Sequence, residues 1–173
     1  MKRKPNSVGG GSKTNLNGLS FEGRMDMREA IRKNGKYYLD ENDQIIKKKI
    51  VIAKYFEKNG LYKKYLKPLG IDYKKILSRQ LLPDAALLVD NNLYIIEKKY
   101  QSGSGSVDEK LQTCDFKKKQ YEKLLKPLNI KVHYYYVLSS WFNSPKNKDV
   151  FAYIESVGCK YFIENLPFKE IGL

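Results

Sequence analysis

Two short apolar runs, Ala85–Val89 and Leu93–Tyr100, flank Asp90-Asn91-Asn92. No other feature constrains the fold as tightly. Apolar runs of this length between turn residues read as strands. Asn tolerates the left-handed backbone that a tight hairpin turn requires. Downstream, Ser106-Val107-Asp108-Glu109 forms a capping box that opens a long helix to about Lys126. Ile130–Leu138 is the next strand. Strand, long helix and strand make a right-handed parallel crossover. An antiparallel hairpin continued by a parallel crossover gives a mixed sheet. The expected fold is therefore α/β, a mixed central β-sheet flanked by helices in the order α-βββ-α-β.

The rest of the chain fits around that unit. Residues 1–14 (MKRKPNSVGGGSKT) read as a flexible basic arm, and residues 15–173 as a single domain. A helix is expected from Asn15–Asn17 toward Arg32, with Leu19, Met27, Ala30 and Ile31 on its inner face. Tyr37–Asp40 and Ile45–Ile52 read as two strands around Glu41-Asn42-Asp43. Lys- and Tyr-rich helical stretches follow up to Leu82. Pro68-Leu69-Gly70 ends one of them and Asp72 caps the next. Tyr62–Ile71 (YKKYLKPLGI) and Tyr121–Ile130 (YEKLLKPLNI) agree at seven of ten positions. They read as two helices stopped by the same proline chemistry. A helix over Asp149–Val157 and a strand at Tyr161–Ile163 complete the set.

Charge and rare residues bound the function. Lys and Arg number 33 against 19 Asp and Glu, a net charge of +14. Such an excess points to a polyanionic partner, because neutralising phosphates releases counterions. No apolar run approaches the roughly 20 residues of a membrane span, and Met1–Leu19 lacks a secretory apolar region, so a cytoplasmic protein is expected. His133 is the single histidine and lies in an apolar run, where it reads as a structural strand residue. Cys114 and Cys159 do not suffice for a zinc site of four Cys/His ligands. General-base chemistry falls to carboxylates, lysine or metal-bound water.

Four acid-x-Lys triplets occur: Asp72–Lys74, Asp108–Lys110, Asp115–Lys117 and Glu97–Lys99. Three lie in expected helices, where residues two apart point in different directions. Only Glu97–Lys99 ends an apolar strand, where i and i+2 share a face. A turn at Asn91-Asn92 pairs Asp90 with Leu93, puts Asp84 opposite Lys99, and puts Glu97 opposite Ala86. Asp84, Glu97, Lys99 and Gln101 then share one face. Asp84 and Glu97 become diagonal neighbours, roughly 7–8 Å apart at the backbone. Two carboxylates so placed reach one cation, and Mg²⁺ prefers such oxygen ligands. A lysine beside them can orient a water or stabilise developing charge.

Pro83-Asp84, followed thirteen residues later by Glu97-Lys98-Lys99, resembles the signature of the PD-(D/E)XK nuclease superfamily. The likeness in topology spans roughly residues 17–140. Glu97-Lys98-Lys99-Tyr100-Gln101, followed by Gly105-Ser106-Val107-Asp108-Glu109-Lys110, looks like the type II restriction endonuclease side of that superfamily. The resemblance implies a restriction-endonuclease-like core and Mg²⁺-dependent hydrolysis of double-stranded DNA at a short specific site. It implies that Asp84 and Glu97 bind the metal and that Lys99 assists the attacking water. It also implies an accessory glutamate on the first helix, for which Glu22 is the candidate and Asp26 the fallback; Gln101 is a further accessory candidate. A repair or junction-resolving nuclease is the alternative within the superfamily, and a non-catalytic basic DNA-binding module the alternative outside it. A symmetric duplex site is matched by a homodimer on DNA. Lys47-Lys48-Lys49 and Lys117-Lys118-Lys119 read as mostly solvated runs with one side near phosphate. Arg24, Arg28 and Arg32 are spaced to line one helix face toward DNA. Tyr134-Tyr135-Tyr136 and Trp141-Phe142 read as strand and core aromatics.

Overall fold

The computed structural model describes residues 20–21, 23, 25–102 and 107–173. The expected basic arm, Glu22, Arg24 and the start of the capping box lie outside the described residues. The fold is mixed α/β. Its elements are α1 (Met27–Lys33), β1 (Tyr38–Leu39), β2 (Gln44–Lys47), β3 (Ile50–Phe56), a π-helix (Leu61–Leu66), β4 (Ala85–Val89), β5 (Asn92–Lys99), α2 (Val107–Leu111), α3 (Cys114–Leu125), β6 (Lys131–Leu138), α4 (Lys148–Ser156) and β7 (Lys160–Ile163).

The seven strands form one sheet in the order β1-β2-β3-β4-β5-β6-β7. Neighbours from β1 to β5 are antiparallel. β5, β6 and β7 are parallel, joined by the helical crossovers that parallel strands require. β4 is buried along its whole length and β6 is made of aromatic and β-branched residues, as befits central strands covered on both faces. On one face, Ala86, Leu88, Leu93, Ile95, Tyr134 and Tyr136 pack against Leu61 and Leu66 of the π-helix and Tyr121, Leu124 and Leu125 of α3. On the other, Ala85, Leu87, Ile96, Tyr135 and Val137 pack against Phe21, Met27 and Ile31 and the C-terminal Leu166 and Ile171. Each face thus has its own core.

Several elements depart from expectation. Ile45–Ile52 is two strands, because Lys48 and Lys49 turn the chain with φ of +49° and +68°. Positive φ at both central residues is the geometry of a tight hairpin turn, and two lysines carry no sequence signal for it. α1 begins afresh at Met27, because the Asp26 carboxylate caps it by accepting from the Arg28 and Glu29 amides. The expected long helix is divided into α2 and α3. At the break the Gln112 and Thr113 amides donate to the Glu109 and Lys110 carbonyls, and the Thr113 hydroxyl donates to the Lys110 carbonyl. The shared proline stops form as expected. Lys67–Leu69 and Lys126–Leu128 are single 3₁₀ turns, ended by left-handed Gly70 (φ +73°) and Asn129 (φ +52°).

The β4–β5 hairpin is shifted by two residues from the expected register. Val89 pairs with Asn92, so the turn is Asp90-Asn91, with Asp90 at φ +49°. Asn92 belongs to β5, where its side-chain oxygen hydrogen-bonds His133 Nε2 at 2.9 Å. The Asn91 carbonyl accepts from the Lys131 amide at 2.9 Å. These two bonds hold the turn against the start of β6. A shift of two preserves which side chains share a face.

Candidate active site

The hairpin register sets the site. Ala85 pairs with Ile96, so Asp84 lies opposite Glu97, one step past the ladder. It does not lie opposite Lys99, as the Asn91-Asn92 turn would have placed it. Directly opposite residues hold their Cβ atoms roughly 4.5–5.5 Å apart, closer than the diagonal spacing expected from sequence. Glu97 and Lys99 follow Leu93 and Ile95 on the face covered by α3.

Three ammonium groups surround the two carboxylates. Lys99 Nζ is 2.9 Å from Glu97 Oε2 and 4.0 Å from Asp84 Oδ2. It also donates to the Lys98 carbonyl at 3.0 Å. Lys58 Nζ donates to Asp84 Oδ1 at 2.8 Å. Lys117 Nζ, from α3, is 3.7 Å from Glu97 Oε1. The Lys98 amide donates to Asp84 Oδ2 at 2.9 Å, tying the aspartate to the facing strand. Lys58 is held beside Asp84 by its own amide, which donates to the Pro83 carbonyl at 3.0 Å.

Burial alone would raise the Asp84 carboxyl. The Lys58 ammonium, the Lys98 amide and the Lys99 charge outweigh it and hold Asp84 below the usual carboxylate value. Asp84 therefore stays ionised well into acid. Glu97 is buried, at 7% exposure, on the face of Tyr121 and Tyr134. Burial pushes both phenols up, with the nearby Glu97 charge adding to it, so they remain neutral. The site thus has an apolar floor and a cationic rim open to solvent, where Lys58 is 63% exposed.

The donor set suits a hard divalent cation. It consists of oxygens: the Asp84 and Glu97 carboxylates and the Lys98 carbonyl. The Lys99 ammonium already rests against Glu97 Oε2 and the Lys98 carbonyl, so a positive charge is accommodated between these oxygens. Among the described residues no group of three or more His, Cys, Asp or Glu side chains comes together to hold a metal. The candidate centre is a pair of carboxylates supplemented by backbone.

The other candidates divide. Gln101 is buried just beyond β5, where its amide and carbonyl are both bonded by the Ser139 hydroxyl at 3.2 and 3.1 Å. That clasp fixes the strand end that carries Lys99. Asp26 is a helix cap. The Arg28 guanidinium lies 2.7 Å from Asp43 and over the Tyr55 ring. Arg32 pairs with Glu29. His133 stacks on Tyr94 with ring centroids 4.7 Å apart, a structural role as expected. Tyr134, Tyr135, Tyr136 and Phe142 are core residues, whereas Trp141 is exposed.

Sequence reasoning missed Lys58 and discounted Lys117. For Lys117 a signal existed: it lies three residues after Cys114 and four before Tyr121, both buried, and so shares their inward stripe. For Lys58 no local signal exists, because its place beside Asp84 comes from β3–β4 pairing. Among the described residues, no helix is long and apolar enough to cross a membrane. No family model and no curated protein matches the chain.

Proposed function

We propose that the protein is a Mg²⁺-dependent endonuclease that hydrolyses phosphodiester bonds of double-stranded DNA. The observation that carries this reading is the Asp84–Glu97 pair, facing each other across two strands with the Lys99 ammonium between them. The resemblance of Pro83-Asp84 and Glu97-Lys98-Lys99 to the PD-(D/E)XK signature points the same way. Asp84, Glu97 and the Lys98 carbonyl would hold a divalent cation, which when bound would supply charge neutralisation for the scissile phosphate. Lys99 orients the attacking water beside the carboxylates and stabilises the charge that develops on the phosphate. Lys58 and Lys117 draw the anionic strand over the site. A homodimer with one such centre facing each strand is part of the proposal, and a site-specific restriction enzyme is its most specific form.

The test is digestion of supercoiled plasmid with and without Mg²⁺, followed by sequencing of the ends. Asp84→Ala, Glu97→Ala and Lys99→Ala should each cut the rate by about a hundredfold or more, with circular dichroism spectra unchanged. Cleavage that persists in excess EDTA, or a fully active Lys99→Ala enzyme, overturns the reading.

A further inference from the structure

A cavity lies beside the π-helix, lined by residues outside the candidate active site. It has a volume of about 540 Å³ and lies between the π-helix and the segment that leads to Asp84. That size falls within the range of small-ligand pockets, roughly 300–1,000 Å³. One wall is Asn59, the residue after Lys58. Bonded to it in the same lining is Gln80, four residues before Asp84. A four-residue segment spans at most roughly 14 Å, and Asn59 follows Lys58 directly, so the cavity lies within that distance of the carboxylates.

The lining carries three kinds of group. Gln80 Nε2 donates to Asn59 Oδ1 at 2.8 Å. That bond leaves the Asn59 NH₂ as a donor and Gln80 Oε1 as an acceptor. Paired donors and acceptors of this kind match the edge of a nucleobase. Tyr62 and Tyr73 meet edge to face, with ring centroids 5.4 Å apart. Tyr62 is buried and its hydroxyl accepts from the Leu81 amide at 3.1 Å, so it is fixed to the segment that carries Asp84. Burial pushes its phenol up to about 12, so it remains neutral. Lys63, Lys67 and Lys74 stand at the rim. The single acid of the lining, Asp72, is used to cap the Lys74 amide at 3.0 Å. The Lys67 amide donates to the Tyr62 carbonyl five residues back, the wide π-type turn that bears Tyr62 and Lys63. Such turns recur at functional sites.

We propose that this cavity takes one unpaired base of the DNA strand beside the cleaved bond. Asn59 and Gln80 bond its edge, Tyr73 packs on its face, and the rim lysines hold the flanking phosphates. An aromatic face, an amide pair and cations are what a splayed-out base and its backbone present surfaces for. The proposal rests on the nuclease reading only for the identity of the strand.

The test uses two short duplexes in excess EDTA: one fully paired, one carrying a single unpaired 5-iodouracil. The bulged duplex should bind about tenfold more tightly. Irradiation should cross-link it to Tyr73 or Tyr62. Tyr73→Ala and the double variant Asn59→Ala/Gln80→Ala should reduce the preference to twofold or less while binding of the paired duplex is kept. Thermal melting of each variant checks the fold. Equal affinity for the two duplexes, a cross-link mapped elsewhere, or a preference that survives both variants overturns the proposal. Plasmid cleavage without any bulge preference defeats the base pocket and leaves the nuclease reading standing. Bulge preference without cleavage by the Mg²⁺-loaded protein does the reverse.

Discussion

Asp43 sits at the turn between β1 and β2 with φ +60° and is buried, yet it is charged. Its carboxylate takes Arg28 on one oxygen and Lys64 on the other. Burial by itself would raise its carboxyl; the hydrogen bonds and charges of Lys64 and Arg28 outweigh burial and lower it. The folded state therefore prefers the ionised form. That preference stabilises the protein fully above the ordinary carboxylate range near 4 and is lost as pH falls through the lowered value. Asp43→Asn should cost about 1.5–3 kcal/mol at pH 7, and the gap to the parent should close in acid. Urea denaturation at pH 7 and pH 3 measures it, and a gap that does not change with pH refutes the assignment. At this scale the placement of the candidate residues was partly legible. Strand parity put Asp84, Glu97 and Lys99 on one face, because a register error of two leaves parity intact. Asp43 and Lys58 were not legible, since their partners arrive from remote parts of the chain.

Elements were legible where a residue type dictates backbone conformation. The two Lys-Pro-Leu segments each end in the left-handed residue that the sequence supplies, Gly70 in one and Asn129 in the other. No atom lies within 4 Å of a Cβ built on Gly70, so a side chain there meets only backbone strain. Gly70→Ala should therefore destabilise the protein by about 1 kcal/mol. Asn129→Gly should be neutral or slightly stabilising, since Gly adopts that conformation at no steric cost. Chemical denaturation of the two variants checks the opposite signs, and equal losses would show that contacts, not backbone, decide. The Lys48-Lys49 turn was illegible for the complementary reason. Nothing about lysine favours positive φ, so the pairing of β2 with β3 must impose it.

The whole molecule carries 14 excess positive charges. If binding neutralises about six phosphates, log K against log salt should fall with a slope near −5. Fluorescence anisotropy of a labelled duplex between low and moderate salt measures it, and a flat response would show that the excess is ordinary solvation. The α/β class and the parallel crossover were legible from the order of apolar runs, whereas the seven-strand count was not. The strand order in space is also the strand order in sequence. Each strand docks on the one made just before it, so the sheet can grow in the direction of synthesis without waiting for a distant segment. Asp84 and Glu97 meet across a two-residue turn, a closure of the kind completed in roughly 1–10 μs. The carboxylate pair belongs to the most local part of the folding reaction, whereas Lys117 joins it only when the crossover helix docks. Lys99 shares that hairpin with the two carboxylates, so only Lys58 and Lys117 reach them from outside it.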